Sequence, residues 1–392
     1  SAVAYLWADS LINSIYGYRS PLKGISPLTE YTTRPLTSQV VLVVADGLRY
    51  DTSFQMPYLN HLRQEGAQAK LVSSPPSGSQ AAWTALLSGA RPEINDAPMF
   101  DQSYEWIRPI TVDHLFAALN RTGLTGGIVG FHWWERLVPS ELLHIKYYVT
   151  TEDDAADALA VDRALTFLKE FHPNLLLVGL RQINTAGQMY GAFSTEYAEA
   201  VSRCDQHIRL LASNMDLHNS VLVIVSGHGH LDQGGHGGNE AVTLNTPFVM
   251  IGESVQRGDH GLLPMTDLAP TIATLLGAPI PAAALGTIRT DMLQMDSTDK
   301  AHKLVALADQ HMRMGSIYLY SIGTKGLAGK VDEDVQVALS SLQVGNYESA
   351  HRLAQITVNG ITQEMTQARD SRVWQERYLR VPPLFRGLDR AI

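Results

Sequence analysis

Three histidines and an aspartate lie close together in a glycine-rich segment, residues 221–238, with the sequence VLVIVSGHGHLDQGGHGG. They are His228, His230, Asp232 and His236, and they follow a run of β-forming residues. Imidazole nitrogens and carboxylate oxygens are common zinc ligands, so the segment predicts a metal-binding loop at the end of a strand. The alternative is a loop that binds no ion, with His230 and Asp232 solvated.

A second group of reactive residues lies earlier in the chain. Asp46 directly follows an apolar run, in ADGLRYD, and could join the histidines as a ligand of a single zinc ion. Ser79 precedes a predicted helix over residues 80–87, where free N–H groups and the helix dipole stabilise an alkoxide or a phosphate. Ser79 is therefore a candidate nucleophile, activated by a metal on its oxygen. The alternatives are structural: a turn or capping role for Asp46 and an N-cap role for Ser79.

Four short apolar runs predict the strands that position these residues. They cover residues 40–45, 175–178, 221–225 and 248–251. Runs that are apolar on both faces suit buried strands of a parallel sheet, and helix-length segments separate them. The pattern predicts a doubly wound, mainly parallel α/β sheet flanked by helices, with the site along the carboxyl edge of its strands.

The rest of the chain suggests three regions. Residues 1–37 are an N-terminal extension, residues 38–295 form the α/β domain, and residues 296–392 form a helical C-terminal appendage. Within the domain, residues 152–171 and 195–212 have helical spacing, and acids at residues 152–154 are expected to open the first helix. Residues 91–150 are less regular and predict either a cap-like region or further strands.

Composition narrows the function. The chain has 392 residues, 45% of them hydrophobic, and a formal net charge of -9, so it can bury a large core and no nucleic-acid partner is expected. The single Cys204 excludes an intramolecular disulfide and a cysteine-based zinc site. No apolar run is long enough to cross a membrane. Both ends carry apolar and aromatic residues, which suggests a membrane tether in a longer parent and an extracytoplasmic domain, or else ordinary packed termini.

Several motifs, taken in order, resemble one known family. The sequence is similar to the alkaline phosphatase superfamily, and within it to the type I phosphodiesterase/nucleotide pyrophosphatase group, over roughly residues 38–290. The register of the resemblance selects Ser79 rather than Ser77 as the nucleophile. The matching motifs are Asp46-Gly47-Leu48-Arg49, Leu86-Leu87-Ser88-Gly89 with Pro92, and residues 190–197, 234–238 and 266–281.

The resemblance implies a phosphoryl transfer clamped by two metal ions, commonly zinc, about 4 Å apart. One ion would be held by Asp46, Ser79 and an Asp-His pair, of which His228 is present and the aspartate is replaced by Gly227. The other would be held by His236 and by an aspartate and a histidine. Asn184 and Gln188 stand at those last two positions.

Two of these replacements, Gly227 and Asn184, remove two of the three carboxylates that a complete set supplies to two dications, and only Asp46 remains. Neutral amide oxygens suit calcium or magnesium better than zinc, and glycine donates nothing from its side chain. We therefore expect that the two-zinc centre does not form and that zinc or another divalent ion is substoichiometric or absent. The sequence favours a weakly active or inactive domain that serves a binding or structural role, with a phosphoester or another ligand as its partner. The alternative is an active metal-dependent phosphodiesterase or phosphotransferase that uses Ser79 and a remodelled metal site.

Overall fold

The computed structural model describes residues 16–25 and 34–388, together with residues 5, 6, 9, 10 and 13. It divides into two compact units, Ser1–Asp296 and Ser297–Ile392. About half of the proposed N-terminal extension lies outside the described residues, including part of the apolar stretch proposed to flank a membrane segment, and so do the last four residues. Among the helices that are described, none is both long and apolar enough to span a bilayer.

The first unit is built on one eight-stranded sheet. Its strand order is β4-β3-β5-β1-β6-β7-β2-β8. Five of the seven neighbouring pairs are parallel, and only the two pairs that involve β7 are antiparallel. The predicted mainly parallel α/β sheet is confirmed. The strands are β1 Gln39–Ala45, β2 Ala67–Val72, β3 Gly126–Phe131, β4 Ile145–Val149, β5 Leu175–Leu180, β6 Ser220–Val225, β7 Asn245–Gly252 and β8 Gly258–Pro264.

The strand β1 lies inside the sheet because its side chains are apolar on both faces. It pairs in parallel with β5 on one side and β6 on the other, and Val40 to Ala45 are all buried. Strand β7 runs against β6 because no crossover helix of the length that parallel strands need separates the two. The carboxyl ends of β1, β5 and β6 therefore meet at one edge of the sheet.

Helices cover the sheet and carry part of the site. The second helix, α2, begins at Ser79, as the sequence predicts within one residue. The acids at residues 152–154, expected to open a helix, instead precede the helix Ala156–Glu170, because Asp153 accepts the N–H of Ala155 in a turn. The helices of this unit are α1 Pro57–Glu65, α2 Ser79–Ser88, α3 Pro92–Asn95, α4 Leu115–Arg121, α5 Trp134–Leu137, α6 Ala156–Glu170, α7 Gln182–Tyr190, α8 Thr195–Ser213, α9 Ala241–Leu244 and α10 Leu268–Leu276.

The less regular region, residues 91–150, supplies two strands of the same sheet. Strand β3 pairs with β5, and β4 extends the sheet beyond β3. Of the two alternatives predicted for this region, further strands are therefore present. Along the chain, the short helices α3 and α4 precede β3, and α5 lies between β3 and β4.

The second unit consists of three helices, as the helical C-terminal prediction requires. They are α11 Ser297–Ser321, α12 Gly329–Gln343 and α13 Tyr347–Leu388. Each packs against the other two, and their shared core includes the buried residues Leu304, Ala338, Ala354 and Ile361.

Candidate active site

Asp46 and Ser79 meet where the carboxyl end of β1 faces the start of α2. Asp46 is 1% exposed, and the hydroxyl of Ser79 donates to its Oδ2 atom at 2.8 Å. Gly78 is the N-cap of α2 and Ser79 is the first helical residue. The N-cap alternative for Ser79 is therefore wrong, because its side chain points to Asp46 and not to the helix backbone.

Two further cationic or N–H groups face the Asp46 carboxylate. The indole Nε1 of Trp83 donates to Oδ1 at 3.2 Å, and Nη1 of Arg181 lies 3.9 Å from Oδ2. Burial raises the pKa of Asp46, while the charge of Arg181 and the hydrogen bond from Ser79 oppose that rise. Asp46 is thus a buried carboxylate held by several donors rather than a simple turn residue.

The three histidines form a possible metal-binding cluster. The ring centroids of His228 and His236 lie 4.6 Å apart, and His230 lies 5.2 and 5.0 Å from them. One candidate ligand nitrogen from each ring lies within 4.8 Å of the others. His228 also links this cluster to the serine, because its Nε2 atom is 3.1 Å from Ser79 Oγ.

The protonation of these rings suits a metal ion. Burial lowers the pKa of His228 well below its usual value and that of His230 to about 3, so both rings are neutral at physiological pH. His228 Nδ1 lies 3.0 Å from the Gly229 carbonyl, and donation to that oxygen leaves the lone pair of Nε2 free. The buried Nδ1 atom of His236 has no hydrogen-bond partner among the described residues. The three rings together are a possible set of nitrogen ligands for one divalent ion.

Two glycines leave space for the His230 ring in the cluster. Gly47 has a φ of +84°, and a Cβ there would lie 2.9 Å from His230 Nε2 and still closer to the Asn184 backbone. A Cβ at Gly187 would collide with the His230 ring. The glycines of the two motifs therefore make room for a histidine that the family resemblance does not itself require.

The three replaced ligand positions have different surroundings. Asn184 is buried, and its Oδ1 atom is 3.0 Å from His230 Nε2, where the amide can accept or donate according to the ring tautomer. Gln188 is exposed to solvent. A Cβ at Gly227 would lie 2.6 Å from the Cβ of Ala82 on α2. The set of residues that would hold a second ion therefore retains only His236, and these residues do not fit two metal ions.

Asp232, a predicted substitute ligand, lies outside the histidine cluster. Its carboxylate accepts from Arg49 Nη1 at 2.5 Å, and its side chain is 41% exposed. Arg49 pairs at the same time with Asp51, and these hydrogen bonds raise the Arg49 pKa. Of the two predicted substitutes, the structure brings His230 into the cluster and not Asp232.

Three residues of the site are absent from the sequence-based set. Trp83 and Arg181 contact Asp46 as described, and Asp101 accepts the backbone N–H groups of Ser79 and Gln80 at 3.1 and 2.9 Å. The sequence could have indicated Arg181, because this residue directly follows a buried strand at the edge of the sheet where the site is predicted. No sequence pattern indicates Asp101, since it lies in an irregular loop.

The fold and the site define an alkaline-phosphatase-like α/β domain. The sequence model of the type I phosphodiesterase / nucleotide pyrophosphatase family matches residues 40–97 and 99–277, and the chain belongs to this family.

Curated relatives point to one group of transferases. The chain is 26% identical over 278 residues to the catalytic subunit of human GPI ethanolamine phosphate transferase 2, covering 65% of this chain and 28% of that protein. It is 23% identical over 331 residues to the catalytic subunit of human GPI ethanolamine phosphate transferase 3, covering 75% of this chain and 30% of that protein. The chain thus spans less than a third of the length of either relative.

Solved structures share the fold at low sequence identity. Human ectonucleotide pyrophosphatase / phosphodiesterase 5 superposes with a TM-score of 0.51 and 14% identity, covering 65% of this chain and 98% of that one. A 2-O GAG sulfatase superposes with a TM-score of 0.52 and 14% identity, covering 66% of this chain and 74% of that one. These likenesses support the fold alone.

Proposed function

We propose that the first unit cleaves a phosphodiester and transfers its phosphoryl group through Ser79, with one divalent metal ion instead of two. The observation that supports this most is the contact of Ser79 Oγ with both Asp46 Oδ2 and His228 Nε2, beside the cluster of three histidines. The replaced positions argue for loss of the second ion. They leave Ser79 in contact with His228, which belongs to the histidine cluster.

The metal ion would be held by His228, His230 and His236. A divalent ion there would act as a Lewis acid that stabilises an ionised serine oxygen and draws charge from a phosphoryl group. Three imidazoles favour zinc over calcium or magnesium, which prefer oxygen ligands.

The chain's own residues supply the nucleophile and the proton acceptor. Ser79 Oγ attacks phosphorus, and its proton passes to Asp46 Oδ2, which already accepts that hydroxyl at 2.8 Å. The Oγ–P bond forms while the bond between phosphorus and the leaving alcohol oxygen breaks, and that oxygen takes up a proton from solvent. A second alcohol or water then attacks phosphorus and releases its proton to solvent, while the bond to Ser79 Oγ breaks and Asp46 returns its proton to that oxygen.

The relatives suggest the donor to test first. Both human relatives are named as ethanolamine phosphate transferases, and the chain shares its phosphodiesterase-like domain with them. We therefore infer that a phosphoethanolamine diester is a better substrate than a nucleotide diester.

The test combines metal analysis with turnover. Purified protein is expected to contain about one zinc ion per chain by elemental mass spectrometry and to hydrolyse an aryl phosphoethanolamine diester. Ser79→Ala should abolish turnover and keep the metal, whereas His236→Ala should lose both. Ser213→Ala, an exposed serine at the end of α8, is the matched control. Absence of both zinc and turnover in the unaltered protein would refute the proposal.

A second function, phosphoester binding without catalysis, is favoured by the replaced metal-ligand positions Asn184, Gln188 and Gly227. The Asp101 carboxylate occupies the N–H groups of Ser79 and Gln80, so a phosphoester would have to bind other donors of the site or displace Asp101. Binding of a phosphoester without turnover, in protein that contains no metal, would support this second function.

A further inference from the structure

Arg181 carries a buried guanidinium with unused hydrogen-bond donors. Its side chain is 15% exposed, and its Nε and Nη1 atoms are buried with no hydrogen-bond partner in the described part of the chain. Buried charged donors are normally hydrogen-bonded, because leaving them unpaired costs free energy. An arginine in this state is suited to an anionic ligand.

Two aromatic rings fix the plane of this guanidinium. Its central carbon lies 4.3 Å from the ring centroid of Phe131 and 4.5 Å from that of Trp133. Such contacts stabilise the cation and remove much of the flexibility of the side chain. The donors are therefore held in place before any ligand arrives.

The short segment after β3, which contains Trp133, also helps to position Asp46. Trp134, next to Trp133, stacks on Trp83 with ring centroids 4.2 Å apart, and Trp83 donates to Asp46. The segment that follows β3 thus sets the position of the cation through one tryptophan and supports the carboxylate through the other.

Arg181 lies beside the nucleophile. Its Nη1 atom is 3.9 Å from Asp46 Oδ2, the oxygen that accepts the Ser79 hydroxyl. This distance is too long for a hydrogen bond, so the attraction between the charges leaves the donors free. A phosphoryl group attached to Ser79 would lie within reach of the guanidinium.

We propose that Arg181 binds the non-bridging oxygens of the phosphoryl group at Ser79 and supplies the positive charge that a second metal ion would otherwise provide. The inference rests on the proposed function. A guanidinium suits this role because its planar donors match two phosphoryl oxygens. It needs none of the aspartate and histidine ligands that Asn184, Gln188 and Gly227 have replaced.

The first experiment measures binding of inorganic phosphate to the full chain, supplemented with zinc, by calorimetry. Arg181→Gln is expected to weaken binding by about 10- to 100-fold, since one or two charge-assisted hydrogen bonds are lost. Arg181→Lys should recover part of the loss, because lysine keeps the charge without the planar pair of donors. Arg163→Gln is the matched control, because Arg163 stacks on Tyr147 at an exposed position of α6.

Metal content, urea unfolding and steady-state kinetics are measured on the same variants. We expect unchanged metal content and a lower kcat/KM for the aryl diester in Arg181→Gln. Guanidinium ion at millimolar concentration should partly rescue Arg181→Ala, because it can occupy the space that the side chain leaves beside the rings of Phe131 and Trp133. If Arg181 only balances the charge of Asp46, its variants will lose stability while phosphate binding stays the same, and the proposal is overturned.

The outcomes also separate this inference from the proposed function. Phosphate binding that depends on Arg181, in protein without turnover, would refute the proposed catalysis and keep the assignment of Arg181. Turnover with unchanged phosphate affinity and kcat/KM in Arg181→Gln would do the reverse. Unaltered protein that neither binds phosphate nor turns over would refute both.

Discussion

Gly227 and Ala82 form a matched pair at the site. The family resemblance expects a metal-binding aspartate at residue 227, but a Cβ there would lie 2.6 Å from the Cβ of Ala82. Its next neighbours, Asp46 Oδ1 and the Ala82 Cα, are 3.8 and 3.9 Å away. The close packing of α2 against the end of β6 therefore leaves no space for an aspartate side chain at residue 227. Simple restoration of the ligand meets a steric barrier.

We predict that Gly227→Asp destabilises the protein unless Ala82 is also changed. Overpacking should cost about 1–3 kcal/mol, and a second carboxylate beside Asp46 adds repulsion in the absence of metal. In the double variant with Ala82→Gly, the cost of overpacking should disappear. Glycine in the helix should itself cost about 1 kcal/mol of unfolding free energy. Urea unfolding of the single and double variants measures the coupling between the two residues.

Gly227→Asn is the control for charge, because it has nearly the same size as aspartate. It should show the same coupling to Ala82→Gly without the repulsion from Asp46. Additive effects of the two substitutions would contradict the proposed contact. For the same reason, restoring Asp at residues 227 and 184 and His at residue 188 should create a second metal site only when Ala82→Gly is included.

At the scale of the element, the start of α2 is closed by a carboxylate from a distant loop. Asp101 accepts the N–H groups of Ser79 and Gln80, while Gln80 and Gln102 exchange hydrogen bonds that hold the loop on the helix. A carboxylate at this end of a helix is stabilising, because it satisfies free N–H groups and interacts with the helix dipole. The same carboxylate competes with a phosphate ligand.

Asp101→Ala should therefore have opposite effects on stability and on ligand binding. We expect a loss of about 1 kcal/mol of unfolding free energy from the missing cap, together with tighter binding of inorganic phosphate. Asp101→Asn keeps an acceptor and removes the charge, so it should lose less stability and still gain affinity. Weaker phosphate binding in both variants would show that Asp101 helps to form the ligand site instead of competing for it.

At the scale of the whole α/β unit, a buried acid sets part of the pH dependence of stability. Asp267 is buried at the start of α10, where its Oδ1 accepts the N–H of Thr287 at 3.0 Å. Burial raises the pKa of Asp267 from 3.8 to about 7. Because the folded-state pKa lies above the unfolded value, this group contributes its full stability below pH 4 and loses it as the pH rises toward 7.

We predict that Asp267→Asn flattens the fall in unfolding free energy between pH 4 and 7. The contribution removed is up to about 4 kcal/mol, from roughly three pKa units at 1.36 kcal/mol each. Urea unfolding at a series of pH values measures it. Asp162→Asn, at an exposed position of α6, should leave the slope unchanged. An equal slope in Asp267→Asn and the unaltered protein would contradict the prediction.

The sequence by itself determined the fold class and the main partners of the site. Strands that are apolar on both faces must lie inside a sheet, and the carboxyl ends of parallel strands share one edge. Asp46 and the histidine loop follow two such strands, so the sequence alone predicts that they lie near each other. The motifs then add Ser79 and mark the replacements at Asn184, Gln188 and Gly227.

Only the tertiary structure decided how these residues pair. It turns His230 toward the cluster and Asp232 toward Arg49, and it places Asp101 on the start of α2. It also packs the guanidinium of Arg181 against the rings of Phe131 and Trp133. These contacts join residues far apart in the chain, so they depend on the packing of whole elements. The local pattern of residue types carries no record of that packing.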